Sequence, residues 1–546
     1  MIVNPKVPSK PDDVELSHRT NIEQTLRESI YFYQLGYSLR SRNEFNLWFL
    51  ELRPLYSSMH FMGGDGASAR ERFPQHLFDD LAEPPPDVRL AERAAEAFPS
   101  RFQGMSAKTG LDEAQSRFVG RSAATLGILG LFAPGLILTG LGTLSLVIFV
   151  LIIAYRLVLA IFGDSRAYLL TDPASLSLLL PVYTILIALK DEAACMPQLS
   201  DSLMSLEYPR HLLDVKLLLE AGDDATKDAI HAQIWPEGTE VLVLPPGDPK
   251  TKPRALNYGL GRARGAFVTV YDAEDRPNPG QLMEAARRFA WDPDLACVQA
   301  PLSGNVRFGS WLSRHWALEY AIQFHRLMPA LARLGMPIPL GGTSNHFRRR
   351  ALLASGGWDA WNVTEDADLG LRFARLGKKI DVIAPSTVEL PPQHLNVWLG
   401  QRSRWLKGFV QTWLVLMREP VTAAREMGAL RFVSMQLTLG ASILSAFFHL
   451  PWLVWCVVCI VSPDANLSRI SWAMLTVSYA VGAVTALTVP SASFAIRMRD
   501  LITLPFYWPL QFFAMARALY SLARRPHYWV KTPREGVPGA GGAHQF

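Results

Sequence analysis

One long run of the sequence is almost free of charge. Residues 122–163 contain a single charged side chain, Arg156. A helix needs about 20 apolar residues to cross a bilayer, so the run is long enough for two crossings, with Pro134–Gly135 and Gly140 as the break between them. Basic side chains lie before the run and near or beyond its end: Arg117, Arg121, Arg156 and Arg166. Because cytoplasmic flanks are usually basic, the run predicts a transmembrane hairpin over residues 122–163 that begins and ends in the cytoplasm.

The composition is more typical of a membrane protein than of a soluble enzyme. Of the 546 residues, 49% are hydrophobic, and the modest net charge of +5 indicates no nucleic-acid partner. Four cysteines indicate neither a disulfide framework nor a metal site. The N-terminus has no apolar run of the kind found in signal peptides, so none is expected. Residues 1–121 are polar, with a proline-rich linker at Pro84–Pro86, and are predicted to form a small cytoplasmic accessory region.

Residues 170–393 are predicted to form an α/β domain. Short apolar runs alternate with amphipathic, charged stretches in this region. The runs are Tyr183–Leu189, Val215–Glu220, Val241–Leu244, Phe267–Tyr271, Ala296–Ala300 and Ile380–Ile383. This alternation indicates a mainly parallel sheet, whose ligands bind at the carboxyl ends of the strands.

The sequence becomes apolar again after the α/β region. Residues 394–420 are rich in Trp, Arg and Lys and are predicted to form amphipathic helices in the membrane interface. Residues 429–522 are predicted to contain transmembrane helices, from apolar runs at 430–460, 470–489 and 501–522. The basic tail, residues 523–546, is expected in the cytoplasm, which requires an even number of crossings and predicts four after the domain and six overall. Arg497 and Arg499 would then face outward, unless the segment after them is interfacial or re-entrant.

The segment Phe267–Pro279, FVTVYDAEDRPNP, ends a β-branched strand in acidic side chains. Asp272 directly follows the strand, and Glu274 stands two residues further on. Carboxylates with this spacing can hold a hard divalent cation, which can neutralise a departing diphosphate. For this segment alone, an acidic turn after a strand explains the pattern equally well.

Thr364, Glu365 and Asp366 open an amphipathic helix predicted over residues 364–376. Thr364 can cap that helix, and acids in its first turn suit the positive helix end, so capping alone can explain all three residues. The functional alternative is that Asp366 acts as a general base on an acceptor hydroxyl. A helix start favours the ionised form that such a base needs.

The segment 401–405 reads QRSRW. On a helix, Gln401, Arg404 and Trp405 share one face and offer an amide, a guanidinium for phosphate and a flat ring for a sugar or a base. An interfacial anchor helix is the alternative interpretation. Two polar segments, Lys252–Asn257 and the glycine-rich loop Gly341–His346, accompany it, although each alone also fits an ordinary solvated loop.

These motifs occur in a fixed order inside an α/β region between apolar runs. Over about residues 170–533 the chain resembles the family 2 processive glycosyltransferases, which include bacterial cellulose synthase, hyaluronan synthase and chitin synthase. DAEDRP at 272–277, GGTSNHFR at 341–348 and YWVKT at 528–532 are most similar to the bacterial cellulose-synthase-like β-glucan synthases. The resemblance implies a cytoplasmic glycosyltransferase-A type α/β domain inserted between transmembrane helices.

The resemblance also implies a role for each matching residue. Asp366 would be the catalytic base, with Thr364 and Glu365 near the acceptor. Asp272 and Glu274 would hold Mg²⁺ or Mn²⁺, although Glu274 stands where the family usually has Asp. Contacts to the donor nucleotide or its diphosphate are implied for Glu192, Glu220, Lys252, Asn257, Asp272, Gln401, Arg404 and Trp405, the last of which would also contact the acceptor.

The function implied by the resemblance is processive and inverting. It is polymerisation of a β-glucan from UDP-glucose, coupled to export across the bacterial inner membrane by a multi-pass protein. The implied partners are the UDP-sugar, the growing polysaccharide and the lipid bilayer, with an export partner and a nucleotide activator as further expectations. Two alternatives stay open: a non-processive enzyme that adds one sugar to a lipid, and a catalytically silent membrane scaffold or receptor.

Overall fold

The computed structural model describes residues 81–163, 180–304, 306, 309–458, 460, 465–490 and 497–528. Most of the predicted accessory region 1–121 and most of the predicted tail 523–546 lie outside these ranges.

The α/β region is built on a mixed sheet. The strands in the described ranges are β1 (Tyr183–Leu189), β2 (Leu213–Glu220), β3 (Glu240–Leu244), β4 (Phe267–Tyr271), β5 (Arg276–Pro277), β6 (Leu295–Gln299), β7 (Leu302–Gly304), β8 (Asn345–Arg348), β9 (Lys379–Val382) and β10 (Thr387–Glu389). Seven of them form one sheet in the order β3-β2-β1-β4-β8-β6-β9, and β5, β10 and β7 form a smaller sheet. In the large sheet, β8 runs antiparallel to both its neighbours, and the other pairs are parallel.

The predicted strands are confirmed, and the mainly parallel sheet with them. Sequence patterning did not predict β8, because the GGTS segment before it has the composition of a loop. Strand β1 is apolar along its whole length because both faces of the sheet are covered. Leu186 belongs to one buried cluster, and Ile185 and Ile187 belong to another on the opposite face.

Helices cover the sheet and extend beyond it at both ends. Before the sheet lie α1 (Val88–Arg101), α2 (Glu113–Phe132) and α3 (Pro134–Phe162). The α/β region contains α4 (Met196–Met204), α5 (Asp224–His231), α6 (Lys252–Arg262), α7 (Gln281–Trp291), α8 (Trp311–Ile322), α9 (Met328–Arg333), α10 (Arg349–Ala354) and α11 (Glu365–Arg375). After it come α12 (Leu395–Leu416), α13 (Pro420–Met427), α14 (Ala429–Met435), α15 (Ala441–Val458), α16 (Ala465–Leu487), α17 (Met498–Ile502), α18 (Leu504–Tyr507) and α19 (Leu510–Arg524).

Within the described ranges, three helical stretches have the length and composition of membrane spans: Pro134–Phe162, Ala429–Val458 and Arg469–Leu487. The sequence predicted six. The predicted break in the first apolar run is present at Pro134, since α2 ends at Phe132 and Pro134 begins α3, whereas Gly140 lies inside α3. Helix α2 is not among the three stretches because Arg117 and Arg121 lie in its N-terminal half. The run over 501–522 is divided among α17, α18 and α19 and does not form one long helix.

The segment that carries Arg497 and Arg499 binds directly to the α/β region. Arg314 of α8 donates from Nε to Oδ1 of Asp500 at 3.0 Å, and Nε2 of His315 lies 3.1 Å from the backbone oxygen of Asp500. The segment that carries the two arginines is therefore packed against α8 of the α/β region.

Candidate active site

A cavity of about 490 Å³ lies at the carboxyl ends of the strands and continues between the apolar helices. Strand ends, the first turns of α6 and α11, the loop 341–343 and helix α12 form its walls. All the predicted site residues except Asn257 line it: Glu192, Glu220, Lys252, Asp272, Glu274, Thr364, Glu365, Asp366, Gln401, Arg404 and Trp405. The fold therefore brings together side chains that are far apart in the sequence.

Asn257 lies outside this cavity, in contrast to the predicted donor contact. Its side-chain amide donates to the backbone oxygens of Ala94 (2.9 Å) and Trp358 (2.8 Å), and its Oδ1 accepts from the backbone N–H of Trp358 at 3.0 Å. Residues five apart on a helix point about 140° away from each other. Asn257 consequently faces away from Lys252, and both of its amide hydrogens are bonded inside the protein.

The acidic end of β4 is tied to two neighbouring elements. Asp272 forms an ion pair with Lys252, the first residue of α6, and Lys252 also donates to the backbone oxygen of Gly342 at 2.7 Å. The backbone N–H of Asp272 donates to Oδ2 of Asp275 at 2.8 Å, and the hydroxyl of Thr343 donates to the same oxygen. Burial, together with the charge of Asp272, raises the pKa of Asp275 well above its usual value. The DAED turn is thus fixed against the glycine-rich loop.

Glu389 is a cavity residue that the sequence analysis did not identify. It ends β10 in the small sheet and lines the cavity with Asp272 and Glu274. Burial raises its pKa to about 8, with further increases from the charges of Glu274 and Asp272. An isolated acid in the sequence TVELPP gives no spacing signal that relates it to the other acids, so only the fold reveals it.

The acids at this end of the cavity have the ligand chemistry of a hard divalent cation. The carboxylates of Glu274 and Asp272 both raise the pKa of Glu389, which indicates negative charge that the protein only partly compensates. No group of three or more His, Cys, Asp or Glu side chains with metal-binding geometry occurs in the part of the chain that the structure describes. Asp272 and Glu274 offer carboxylate oxygens, the ligand type that a hard divalent cation prefers.

Asp366 and Glu365 have different pKa values although they are adjacent in the first turn of α11. Burial raises the pKa of Asp366 to about 6, while the Ala367 backbone N–H (2.8 Å from Oδ1), Lys252 and Arg404 oppose that increase. Burial and the charge of Asp366 raise the pKa of Glu365 to about 8. Of the pair, Asp366 has the lower pKa and therefore ionises first as the pH rises. The ionised form is the one that can accept a proton.

Thr364 precedes α11, but its side chain does not cap the helix, so the predicted capping is wrong. Its hydroxyl lies 3.5 Å from Oδ1 of Asn362, which also accepts from the Thr364 backbone N–H at 3.0 Å. A methyl group on Gly408 of α12 would lie 2.3 Å from the Thr364 hydroxyl oxygen. Thr364 therefore packs the start of α11 closely against α12.

Helix α12 presents Gln401, Arg404 and Trp405 to the cavity, as their spacing predicted. Oε1 of Gln401 accepts from the Trp316 indole N–H at 2.8 Å. The ring of Trp405 stacks against Tyr320 with 5.9 Å between ring centroids, and the guanidinium of Arg402 lies 4.8 Å from the Trp405 ring centroid. These contacts fix the aromatic wall of the cavity.

Two further acids line the cavity beyond the ends of β1 and β2. Glu192 follows β1, and Glu220 ends β2. Asp223 and Asp224 follow Glu220 closely in the sequence. Asp223 caps α5 by accepting from the Thr226 backbone N–H at 3.2 Å, so Glu220 is the member of this segment that lines the cavity.

Sequence comparison agrees with this arrangement. Residues 267–487 match the sequence profile described as Glycosyl transferase family group 2. The matched segment begins at β4 and continues to the end of α16. The α/β sheet, with helices of membrane-span character before and after it in the sequence, agrees with the predicted architecture.

The named relatives of this chain include proteins of two kinds. The beta-monoglucosyldiacylglycerol synthase of Trichormus variabilis is 26% identical over 323 residues, which are 58% of this chain and 64% of the synthase. The cellulose synthase 2 of Novacetimonas hansenii is 25% identical over 217 residues, 38% of this chain and 13% of that protein. The chain thus spans less than two thirds of the length of either relative.

A solved structure also aligns with this chain. It is the mannosyltransferase PcManGT from Pyrobaculum calidifontis in complex with GDP-Man and Mn²⁺. The match covers 69% of this chain and 99% of the mannosyltransferase, at 19% identity and a TM-score of 0.41.

Proposed function

We propose that the protein is an inverting glycosyltransferase that moves a hexosyl unit from a UDP-sugar to an acceptor hydroxyl. The observation that supports this most directly is that one cavity contains two acidic groups with separate properties. Asp366 has a lower pKa than the adjacent Glu365 and would take the proton, while Asp272 and Glu274 offer oxygen ligands at a strand end.

In the proposed reaction the acceptor oxygen attacks the anomeric carbon of the sugar. The bond between that carbon and the diphosphate oxygen breaks, its electron pair leaves with UDP, and the hydroxyl proton passes to Asp366. One displacement inverts the anomeric configuration. Lys252 and Arg404 line the cavity and can stabilise the charge that develops on the diphosphate. A divalent cation held by Asp272 and Glu274, Mg²⁺ or Mn²⁺, would supply Lewis-acid stabilisation of the same group.

The lining of the cavity beyond Trp405 supports a glycan as the acceptor. Polar side chains from the apolar helices line this part: Thr438, Ser442, Ser445, His449, Ser478 and Thr485. Polar groups inside membrane spans are costly and mark substrate paths. A sugar chain can exchange hydrogen bonds with such a lining as it lengthens. We therefore propose processive synthesis of a β-glucan from UDP-glucose, with export along this path.

A lipid acceptor is the second candidate. Phe149, Ile152 and Ile153 of α3 also line the cavity and would suit an acyl chain. The relative named as a beta-monoglucosyldiacylglycerol synthase matches more of this chain than the one named as a cellulose synthase does. A catalytically silent scaffold is less well supported, since every acidic residue that the reaction needs lines the cavity.

The product separates these candidates. Membrane vesicles containing the protein would be supplied with Mg²⁺ and radiolabelled UDP-glucose, UDP-GlcNAc or UDP-galactose. Label in high-molecular-weight material that a β-glucanase digests supports the polymerase, and the specificity of the glucanase names the linkage. Label that extracts into chloroform–methanol supports a lipid acceptor. Failure to consume any donor supports the scaffold.

Chain connectivity supports four crossings of the bacterial inner membrane. Residues 81–112 and the sheet lie on one side, because the Val241 backbone N–H donates to the Ala82 backbone oxygen at 2.9 Å. The chain must then cross the membrane an even number of times between residue 112 and the sheet. If α3 crosses the membrane, α2 crosses it as well. Twenty residues of α2 extend about 30 Å, and none of them is buried. The stretch α14–α15 and helix α16 add two crossings, and we assign the domain to the cytoplasm.

A further inference from the structure

Residues 81–112, here called the N-terminal strap, bind the elements that carry the site residues. Helix α1 of the strap packs along α6, which begins at Lys252. The backbone N–H of Asp87 donates to the Tyr258 hydroxyl at 3.0 Å, and a methyl on Gly261 would lie 2.6 Å from the side chain of Leu90. The two helices are therefore in close contact.

Asn257 joins the strap to both sides of the cavity. It stands five residues after Lys252 on α6, and its partner Trp358 precedes Thr364 by six residues. The side-chain amide of Asn257 makes three hydrogen bonds. One goes to the Ala94 backbone oxygen in the strap, and the other two join Asn257 to the backbone oxygen and the backbone N–H of Trp358. Gly357 has a φ of +72°, and a methyl there would lie 2.5 Å from Oδ1 of Asn257. The local backbone thus leaves room for this amide only when residue 357 is glycine.

The far end of the strap holds the segment that leads into α11. Asp359 is completely buried and accepts from the Ser106 hydroxyl at 2.9 Å and from the Ala107 backbone N–H at 2.6 Å. Asp359 stands seven residues before Asp366. Arg418, just beyond α12, donates to three strap backbone oxygens: Gly104 (2.9 Å), Ser106 (2.8 Å) and Gly110 (2.6 Å).

The strap also contacts α11 itself. The guanidinium of Arg372 lies 4.0 Å from the ring centroid of Phe98 in α1. The strap therefore contacts α6, the segment before α11, α11 and the end of α12. None of the described residues of the strap lines the cavity.

We propose that the N-terminal strap positions the catalytic groups and that Asn257 of α6, which binds the strap, is the principal positioning residue, fixing Lys252 relative to Asp366. The proposal rests on the proposed function. Lys252 is among the groups that oppose the rise in the pKa of Asp366, so its placement affects the base. Catalysis is sensitive to displacements of about 1 Å, which can reduce rates by about a hundredfold. A segment outside the cavity can thus control turnover.

The test compares purified full-length protein with Asn257→Leu, which keeps the branching and the number of side-chain heavy atoms and removes the hydrogen bonds. We expect kcat to fall about tenfold or more, KM for the UDP-sugar to change less, and the pH profile of kcat to shift. Amide hydrogen exchange should become faster over residues 252–256 and 358–366. Ser106→Ala removes one of the two strap bonds to Asp359 and should give a smaller effect in the same direction.

Glu92→Ala, on the exposed side of α1, is the matched control and should leave kcat and exchange unchanged. Wild-type kcat and exchange in Asn257→Leu would overturn the proposal, and so would an equal loss in Glu92→Ala. If Asn257→Leu does not fold, Ser106→Ala and Arg418→Gln decide the question through the same two measurements. If the wild type transfers no sugar, the proposed function fails, and hydrogen exchange alone decides whether the strap holds these segments.

Discussion

Lys252 contacts both Asp272 and the backbone oxygen of Gly342, which belongs to the loop beside Asp366. Its ammonium group pairs with the Asp272 carboxylate and lies 2.7 Å from the Gly342 oxygen. A methyl group on Gly342 would lie 3.3 Å from Oδ2 of Asp366. The ammonium group of Lys252 thus links the acidic end of β4 to the wall of the cavity that carries Asp366.

Replacing Lys252 should alter both the binding of the donor and the proton transfer to Asp366. In Lys252→Met we expect donor affinity to fall about tenfold, because a charge-assisted contact to the diphosphate is worth about 1.5–3 kcal/mol. The pKa of Asp366 should rise, because the charge of Lys252 now lowers it. The pH profile of kcat should therefore move to higher pH. Lys378→Met, at an exposed lysine, is the control, and an unchanged profile in Lys252→Met would contradict the coupling.

The wild-type rate should depend on pH in the acid range. The base must be ionised, and the pKa of Asp366 is raised to about 6, mainly by burial. With saturating donor and cation, kcat should be low at pH 5 and rise to a plateau above about pH 7. A rate that stays constant from pH 5 to pH 8 would exclude Asp366 as the group that takes the proton.

Removal of divalent cations should abolish transfer. EDTA should stop the reaction, and Mg²⁺ or Mn²⁺ should restore it. Asp272→Asn and Glu274→Gln should each raise the cation concentration needed for half-maximal rate about tenfold or more, because each removes one anionic oxygen ligand. Glu237→Gln, at an exposed acid, should leave the requirement unchanged. Full activity in EDTA would contradict the cation site at Asp272 and Glu274.

Cysteine labelling in intact cells tests the four crossings. A cysteine at Leu136, in the first turn of α3, should react with a membrane-impermeant maleimide from outside. A cysteine at Ser100, at the end of α1, should react only after the membrane is opened. Reaction of the Ser100 cysteine in intact cells would place the strap outside and contradict the crossing assigned to α2.

Much of the fold could be predicted because its signals are local. Each predicted strand is a short apolar run, and Asp272 and Glu220 lie at or next to strand ends, where such sheets bind ligands. The face formed by Gln401, Arg404 and Trp405 follows from helical spacing alone. These residues could be placed without knowledge of distant contacts.

Other features depend on contacts between distant parts of the chain. The contacts of Asn257 could not be predicted from its spacing to Lys252, because the helical rotation between the two residues turns Asn257 towards Ala94 and Trp358. Glu389 is brought to the acidic cluster by the pairing of β10 with β5 and β7, which lie far from it in the sequence. The strap has no chemical motif, and its contacts with α6 and α12 join residues far apart in the sequence.

The most direct test of the account measures sugar transfer by wild-type protein and Asp366→Asn in the same vesicles. Both would receive Mg²⁺ and the panel of radiolabelled UDP-sugars, and bound UDP and incorporated label would be measured. The account predicts that both bind UDP and that the wild type incorporates label from at least one donor. Asp366→Asn should incorporate at least a hundredfold less, which is within the usual contribution of a general base. Equal incorporation by the two proteins, or no consumption of any UDP-sugar by the wild type, would contradict it.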